Sequence, residues 1–592
     1  MPSISALVDE IVGIPKPFRG ALTRLLGIDR LDRIYHSTTE DLPIPEQLLD
    51  KLAVTYRVSG LDLQQIPRTG ATVIVANHPF GILEGAVLAT VLQRIRPDVR
   101  FLANQVLGRI PEIQDLIIPV NVLGGTVLGG IAQNNTTGLR RTIEYLQGGG
   151  CLVVFPAGEV SHFQPREGMV ADSEWHTAAA RLIESLSRKN VAVSTVPVYI
   201  RGSNSFLFHI LGMLHPRIRT ALLARELLNK QDRLVELRIG SPITHKRLLE
   251  IPTPKERTEY LRWRTYLLAG RSEFKPRTSL SLLNRLRQRT PSAVIGAVDR
   301  NVLVSEVASL AQEQRLFQAG DLEVYVTPAH AIPALLEEIG RLRELTFRAV
   351  GEGTGKSTDV DGFDAHYLHL FVWNASKQEI VGAYRLAGTD VTRDLYTATL
   401  FRYTGDFLDK LGPALELGRS FVRPEYQRGF APLLALWKGI GAYVARNPRY
   451  KTLFGPVSIS NQYQAVSREL MVTFLERDAS LLDWASLISS RNPFKRRSHT
   501  PLPPAEGFDL EDLSDCVADL EPTRTGVPVL LRQYLKLGGK LLGFNLDPEF
   551  SDALDGLIVV DLTRTEPRLL ERYLGKAEAQ EFLKHQKGSY EP

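Results

Sequence analysis

Between residues 51 and 250 the chain alternates short apolar runs with stretches of helical periodicity, and that alternation constrains the fold more than any other feature. The runs are "ATVIVANH" (71–78), "RFLANQV" (100–106), "LIIPVNV" (116–122), "CLVVFPAG" (151–158), "VAVSTVPVYI" (191–200) and "LVELRIG" (234–240). Helical patterns fall near 84–95, 136–147 and 176–188. Strands alternating with helices predict an α/β domain. In such sheets chemistry gathers at the carboxyl ends of strands. His78 closes the first run, "PAGE" (156–159) follows a later one, and "VPV" (196–198) reads as the end of another.

A chain of 592 residues is too long for one core. A second α/β block is expected over 320–575, from "DLEVYVT", "HYLHLFVWN", "EIVGAYRLAG", "ALELGRSFV" and "KTLFGPVSIS", with helices near 331–348, 430–446 and 528–540. The expected division is an amphipathic helical segment (1–50), a first α/β domain (51–250), a basic helical connector (251–319), the second α/β domain (320–575) and a tail (576–592). In the first segment "FRGALTRLLGIDRLDRIY" (18–35) sets Leu and Ile at helical spacing between arginines, which suits either packing on the next domain or lying on an anionic membrane. In the connector Lys and Arg outnumber Glu, with Trp263 and Tyr266 interleaved. It reads as a solvated linker face or as a surface for an acidic partner or lipid headgroups. Residues 491–506, "RNPFKRRSHTPLPPAE", read as a basic, Pro-rich loop.

Several classes are set aside on composition and motifs. The net charge of +5 suits an acidic partner or an anionic membrane surface but is too small to argue for nucleic acid. Cys151 and Cys516 supply neither a disulfide framework nor a zinc spacing, which fits a reducing cytosol. The start of the chain carries Asp9 and Glu10 and does not read as a signal peptide. Residues 116–132 are uncharged but short for a membrane span and broken by Pro119, Asn121 and four glycines, so a buried strand and loop is expected there. "GEGTGKST" (351–358) resembles a P-loop only superficially. Three residues separate Gly351 from the Gly355–Lys356 pair where four are needed, and a helix-like segment precedes it, so a mobile Gly-rich substrate loop is expected.

Two constellations carry chemistry. A neutral imidazole at His78 can take a proton from an alcohol if an acid fixes its tautomer, and Glu84 lies six residues on. In the second block Asp359, Asp361 and Asp364 crowd one loop, Arg385 lies in "GAYRL", and Glu416 precedes Arg419 by three residues. A carboxylate there would deprotonate an amine, and an arginine would bind an amino acid's carboxylate; a solvated salt-bridge network is the other reading. His366 and His369 are spaced to opposite faces and are not a metal pair, and no metal site is expected.

Residues 60–245 resemble the lysophosphatidate acyltransferase superfamily. The resemblance implies that His78 takes the proton of an acceptor hydroxyl, which attacks an acyl thioester, with Glu84 standing one position later than the family's Asp. It assigns Phe155, Pro156, Gly158 and Glu159 to the acceptor site. The family's Phe-Pro-Glu-Gly-Thr-Arg here reads Phe155-Pro156-Ala157-Gly158-Glu159-Val160, without the charges that hold a phosphate, so an acceptor lacking a phosphate is expected, although Arg166 is near in sequence. Residues 320–565 resemble GNAT-like N-acyltransferases related to acyl-homoserine-lactone synthases, most closely the ornithine-lipid N-acyltransferases. The motifs are "VGAYRL", "ELGRSFVRPEYQRG", "LLALWKGIGAY", "LFGPVSISN" and "PVLLRQYLKLGGKLLG". The resemblance makes Glu416 the general-base candidate and gives Asp361, Asp364, Arg385 and Arg419 to the amino-acid and acyl pocket.

Together the blocks look like the bifunctional ornithine-lipid synthases. That implies N-acylation of an amino acid such as ornithine by a 3-hydroxyacyl group from acyl carrier protein. O-acylation of the new hydroxyl of the lyso-aminolipid follows, at the inner face of the cytoplasmic membrane, with no cofactor beyond the acyl-carrier thioester. Glycine, lysine or glutamine as the amino acid, a phospholipid acyltransferase with a non-catalytic C-terminal block, and an inactive membrane scaffold are the alternatives.

Overall fold

The computed structural model describes residues 23–38, 42–120, 136–165, 168–214, 216–271, 291–477, 482–496 and 508–588. Arg166, the stretch 121–132 and most of the 491–506 loop lie outside them. By contact the chain forms two compact units, Met1–Glu273 with Pro503–Gly526, and Phe274–Leu502 with Val527–Pro592.

Unit 1 contains β1 (Thr55–Arg57), β2 (Ala71–Ala76), β3 (Val99–Asn104), β4 (Ile117–Val120), β5 (Cys151–Val154), β6 (His162–Gln164), β7 (Met169–Ala171), β8 (Val193–Arg201), β9 (Leu234–Ile239) and β10 (Ile243–Thr244). The main sheet runs β1-β9-β8-β2-β5-β3-β4, with β10 on β8, and β6–β7 form a separate hairpin. β2 is buried along its whole length, as its unbroken apolar run requires of a central strand covered on both faces. It is parallel to both neighbours, with Val75 beside Val154 of β5 and Ala76 beside Val198 of β8. His78 and the Phe155–Glu159 turn therefore leave the same end of adjacent strands. The six strands read from the sequence all form, but "VPV" lies inside β8 rather than at its end. Pro197 keeps its place in that strand through its carbonyl, which accepts from Gly240 N at 2.8 Å.

The helix Ile28–His36 buries Ile28, Leu31 and Tyr35 in unit 1, the first of the two readings of its apolar stripe. Two other expectations about organisation are corrected. The helix Pro254–Leu267 is not an exposed connector, since Tyr260, Leu261, Arg264 and Thr265 are buried in it. Residues Leu510–Leu520, inside the expected second domain, form a helix of unit 1. Its Asp519 accepts from Arg264 Nη2 at 2.9 Å and from Ser241 N and Oγ at 2.7 and 2.8 Å, and its Asp512 accepts from Tyr260 OH at 3.1 Å. Sequence distance hides such a pairing completely.

Unit 2 contains β11 (Arg315–Ala319), β12 (Leu322–Pro328), β13 (Leu368–Asn374), β14 (Glu379–Gly388), β15 (Phe401–Tyr403), β16 (Ala414–Val422), β17 (Thr452–Ile459), β18 (Ile488–Ser490), β19 (Lys540–Asp547) and β20 (Ala553–Asp561). The sheet runs β11-β12-β13-β14-β16-β17-β20-β19, and β15–β18 pair separately. Only β16 and β17 are parallel, and they pair over just three positions, Ala414–Glu416 with Thr452–Phe454. Beyond that point β16 continues along β14 and β17 along β20. Arg419 sits at an irregularity in the β14–β16 register with φ of 49°, a left-handed conformation that costs a non-glycine residue and re-aims its side chain. Residues 576–588 are not a loose tail, because the helix Lys576–Gly588 buries Ala579 and Phe582.

Candidate active sites

In unit 1, β2 ends at Ala76, and Asn77 fixes that end by bonding both ways with Ile200 of β8, Nδ2 to O at 2.9 Å and Ile200 N to Oδ1 at 2.7 Å. Gly81 then turns with φ of 103°, open to glycine and strained for other residues. The helix Leu83–Gln93 begins, with Glu84 in its first turn, where the helix dipole favours a carboxylate. Glu84 folds back so that Oε1 accepts from Phe80 N at 2.9 Å and Gly81 N at 2.8 Å and lies 2.7 Å from His78 Nδ1. The glycine turn takes up the additional residue between histidine and acid. Burial opposes the imidazolium, but the Glu84 carboxylate outweighs it and raises the His78 pKa. Glu84, although burial pushes the other way, is held low by His78 and the two amides. His78 keeps 17% of its side chain exposed while Glu84 keeps none. An acid-oriented imidazole with an open edge can accept a proton from a hydroxyl.

Phe155 stacks on His78, with ring centroids 4.3 Å apart. Pro156 accepts from His176 N at 2.9 Å, and Gly158 has φ of 69°. Ala157 and Val160, the positions that lack the expected charges, are buried. Glu159 is engaged by Ser173 Oγ and by Arg219, which pairs with it as an ion pair. Asp172 is a participant the sequence did not reveal. It is buried and accepts from His78 N (3.2 Å), Ser161 Oγ (2.5 Å) and Trp175 Nε1 (2.9 Å), tying the His78 loop to the turn after β5. It lies 94 residues from His78, and no local pattern marks it.

In unit 2 the residues of the second constellation come together. Glu416 is buried and its carboxylate accepts from Thr397 N (2.8 Å), Tyr396 N (3.2 Å), Thr397 Oγ1 and Tyr367 OH. A carboxylate offers about four lone-pair directions, so these donors occupy them. Arg385 has no exposure; its Nη1 bonds Asp361 at 2.6 Å and lies 3.4 Å from Asp364. Its guanidinium packs against the rings of Tyr367 (5.0 Å), Tyr396 (5.1 Å) and Phe363 (5.6 Å). Asp364 also pairs with buried Arg343 at 2.8 Å, and the two arginines overcome the effect of burial and hold its pKa low. Arg419 lies 3.3 Å from Asp361 and 3.6 Å from Asp359, over the rings of Tyr396 and Phe550. His369 is buried with its pKa pushed down to about 4, chiefly by burial, and His366 precedes its strand. Among the described residues no group of His, Cys, Asp and Glu is arranged to hold a metal ion. The "GEGTGKST" loop is anchored rather than loose. Glu344 accepts from Thr354 N, Thr354 Oγ1 and Gly355 N at 3.1, 2.7 and 2.9 Å.

With both sites placed, similarity to known proteins can be set beside them. Residues 35–273 match the family model described as "Acyltransferase", and residues 342–438 match the model described as "Acetyltransferase (GNAT) domain". The glycine N(alpha)-acyltransferase of Bacteroides thetaiotaomicron is 31% identical over 300 residues, 47% of this chain and 88% of that protein. The chain belongs to that acyltransferase family. The L-ornithine N(alpha)-acyltransferase of Brucella abortus is 28% identical over 290 residues, 45% of this chain and 93% of that protein. The lyso-glycine lipid O-acyltransferase of Bacteroides thetaiotaomicron is 25% identical over 265 residues, 43% of this chain and 91% of that protein. Under half of this acyltransferase thus spans about nine-tenths of an N-acyltransferase or of an O-acyltransferase.

Proposed function

We propose that this chain builds a two-chain aminolipid by two successive acyl transfers. Unit 2 N-acylates an amino acid with a 3-hydroxyacyl group, and unit 1 esterifies the hydroxyl of that lyso-lipid. The observation that carries the reading is an acid-oriented histidine, His78, beside a turn whose phosphate-clamping positions are Ala157 and Val160. Such a site suits an alcohol without a phosphate. Ornithine and glycine are the candidate amino acids, after the named relatives. Acyl carrier protein is the proposed thioester donor, and neither reaction calls for a further cofactor. In unit 1 His78 is the base and Glu84 its orienting acid; in unit 2 Glu416 orders Tyr367, Tyr396 and Thr397 around Arg385.

The same reading puts the enzyme on the inner face of the cytoplasmic membrane. Among the described residues no helix is long and apolar enough to cross a bilayer. The helix Phe206–Leu214 leaves Phe206 79% exposed and also exposes Leu207 and Ile210, which suits peripheral contact. Expression in a host that lacks aminolipids, fed with labelled glycine or ornithine, tests the whole reading. A labelled lipid with one amide and one ester chain is expected; a phosphate-bearing product, or none, refutes it.

A further inference from the structure

Unit 2 holds a second carboxylate centre that the Glu416 arrangement does not use, on the strands that face one another where β16 and β17 have separated. Asp555 of β20 stands opposite Ser458 of β17, past the last β16–β17 pair, and opposite Asn545 of β19. It is buried, and Ser458 Oγ donates to its Oδ1 at 2.7 Å. Asp547, two positions along β19 from the Asn545 that pairs with Asp555, and Arg419 of β16 act on its charge, and its own charge acts on Glu352 of the Gly-rich loop. Tyr396 joins these elements, its hydroxyl 3.3 Å from Asp547 and its ring 4.7 Å from the Arg419 guanidinium. On that same ring packs Arg385, fully buried, with Nε and Nη2 lacking any hydrogen-bond partner.

Carboxylates and arginines so disposed match an α-amino acid, which brings one cation and one anion on adjacent atoms. Carboxylates coupled in this way resist full ionisation unless a cation joins them or one takes a proton. Burial pushes Asp555 up to about 7, with Asp547 adding to the rise and Ser458 and Arg419 opposing it. Glu352 is pushed up to about 8, by burial and then by the charge of Asp555. Glu416 has its lone pairs occupied by four donors and offers no comparable acceptor.

We propose that Asp555 is the residue that takes a proton from the ammonium of the amino-acid acceptor, whose carboxylate faces Arg419. This rests on the N-acyltransferase reading of unit 2. In the reaction the ammonium gives one proton to the Asp555 carboxylate, and the free amine attacks the thioester carbonyl. The N–C bond forms and the C–S bond breaks, the second nitrogen proton passes to the leaving thiolate to give the thiol, and Asp555 returns its proton to solvent.

The test is N-acylation by the full chain with a 3-hydroxyacyl thioester of acyl carrier protein, using glycine and ornithine, from pH 5.5 to 9. The wild-type kcat/KM is expected to rise through an inflection near neutrality. Asp555→Asn is expected to lose roughly 10²–10⁴-fold, while its thermal unfolding, which reports on the folding of unit 2, stays that of wild type and unit 1 still esterifies supplied lyso-lipid. Ser458→Ala removes a bond that favours the carboxylate and is expected to move the inflection to higher pH. Asp555→Asn activity within threefold of wild type overturns the assignment. So does an unmoved inflection in Ser458→Ala, whether or not the Asn variant folds. A wild-type chain that N-acylates no amino acid overturns the reading of unit 2, and this assignment with it.

Discussion

Glu84 in unit 1 and Glu416 in unit 2 are both carboxylates with almost no exposure, yet their surroundings differ oxygen by oxygen. One oxygen of Glu84 meets two backbone amides and His78, and the other has no partner. Glu416 meets four donors, two of them hydroxyls. The first carboxylate is poised to change its interaction when His78 gains a proton. The second already meets four donors, which suits a fixed point in the proposed mechanism. Two equally buried carboxylates thus differ in how many of their lone pairs are open.

The largest expected effect separates the two units. His78→Ala should lower O-acylation roughly 10²–10⁴-fold and leave N-acylation intact, so that lyso-lipid accumulates in extracts. Loss of both products would break the division of labour. Next is Glu416→Ala, which strands Tyr367 OH and Thr397 Oγ1 in the interior. Each buried neutral donor left unpaired costs about 1–3 kcal/mol, so thermal unfolding should show a marked loss in unit 2 along with N-acylation. A stable Glu416→Ala protein that has lost only the pH-dependent limb of N-acylation would instead make Glu416 the base.

A smaller effect sharpens the His78 side. The imidazole must be neutral to act, and its pKa is raised, so O-acylation should rise with pH through an inflection above the ordinary histidine value. Glu84→Gln removes the raising charge while burial, which lowers, remains; the inflection should move down, with kcat reduced by about tenfold or more. An inflection that does not move would detach Glu84 from His78. The smallest effect concerns the surface. Phe206→Ser with Leu207→Ser should weaken co-sedimentation with anionic vesicles severalfold and leave turnover of detergent-dispersed lyso-lipid within twofold. Unchanged vesicle binding would direct attention to another face.

Local pattern carried the sequence reading far. The central strands and helices of both units follow apolar periodicity, and His78, Glu84, Phe155, Arg385 and Arg419 belong to motifs that the fold brings together. What escaped was held by distant partners. Asp172 and Asp555 become meaningful only through residues about 94 and 97 positions away, and β19 and β20, not read as strands, are placed by their pairing with each other and of β20 with β17. The expected exposed connector failed for a related reason, because its arginines find buried carboxylates such as Asp519 that no spacing rule anticipates.

The return of Leu510–Leu520 to unit 1 bears on how the protein is made. Arg264, Tyr260, Ser241 and Arg271 wait for partners on a helix translated some 250 residues later. Until that helix is made these groups have no such partners, so the first half is expected to complete its packing only after most of the second half has been synthesised. Gene fragments ending near residue 275 should therefore yield insoluble product, and co-expression of a piece carrying residues 503–526 should rescue it.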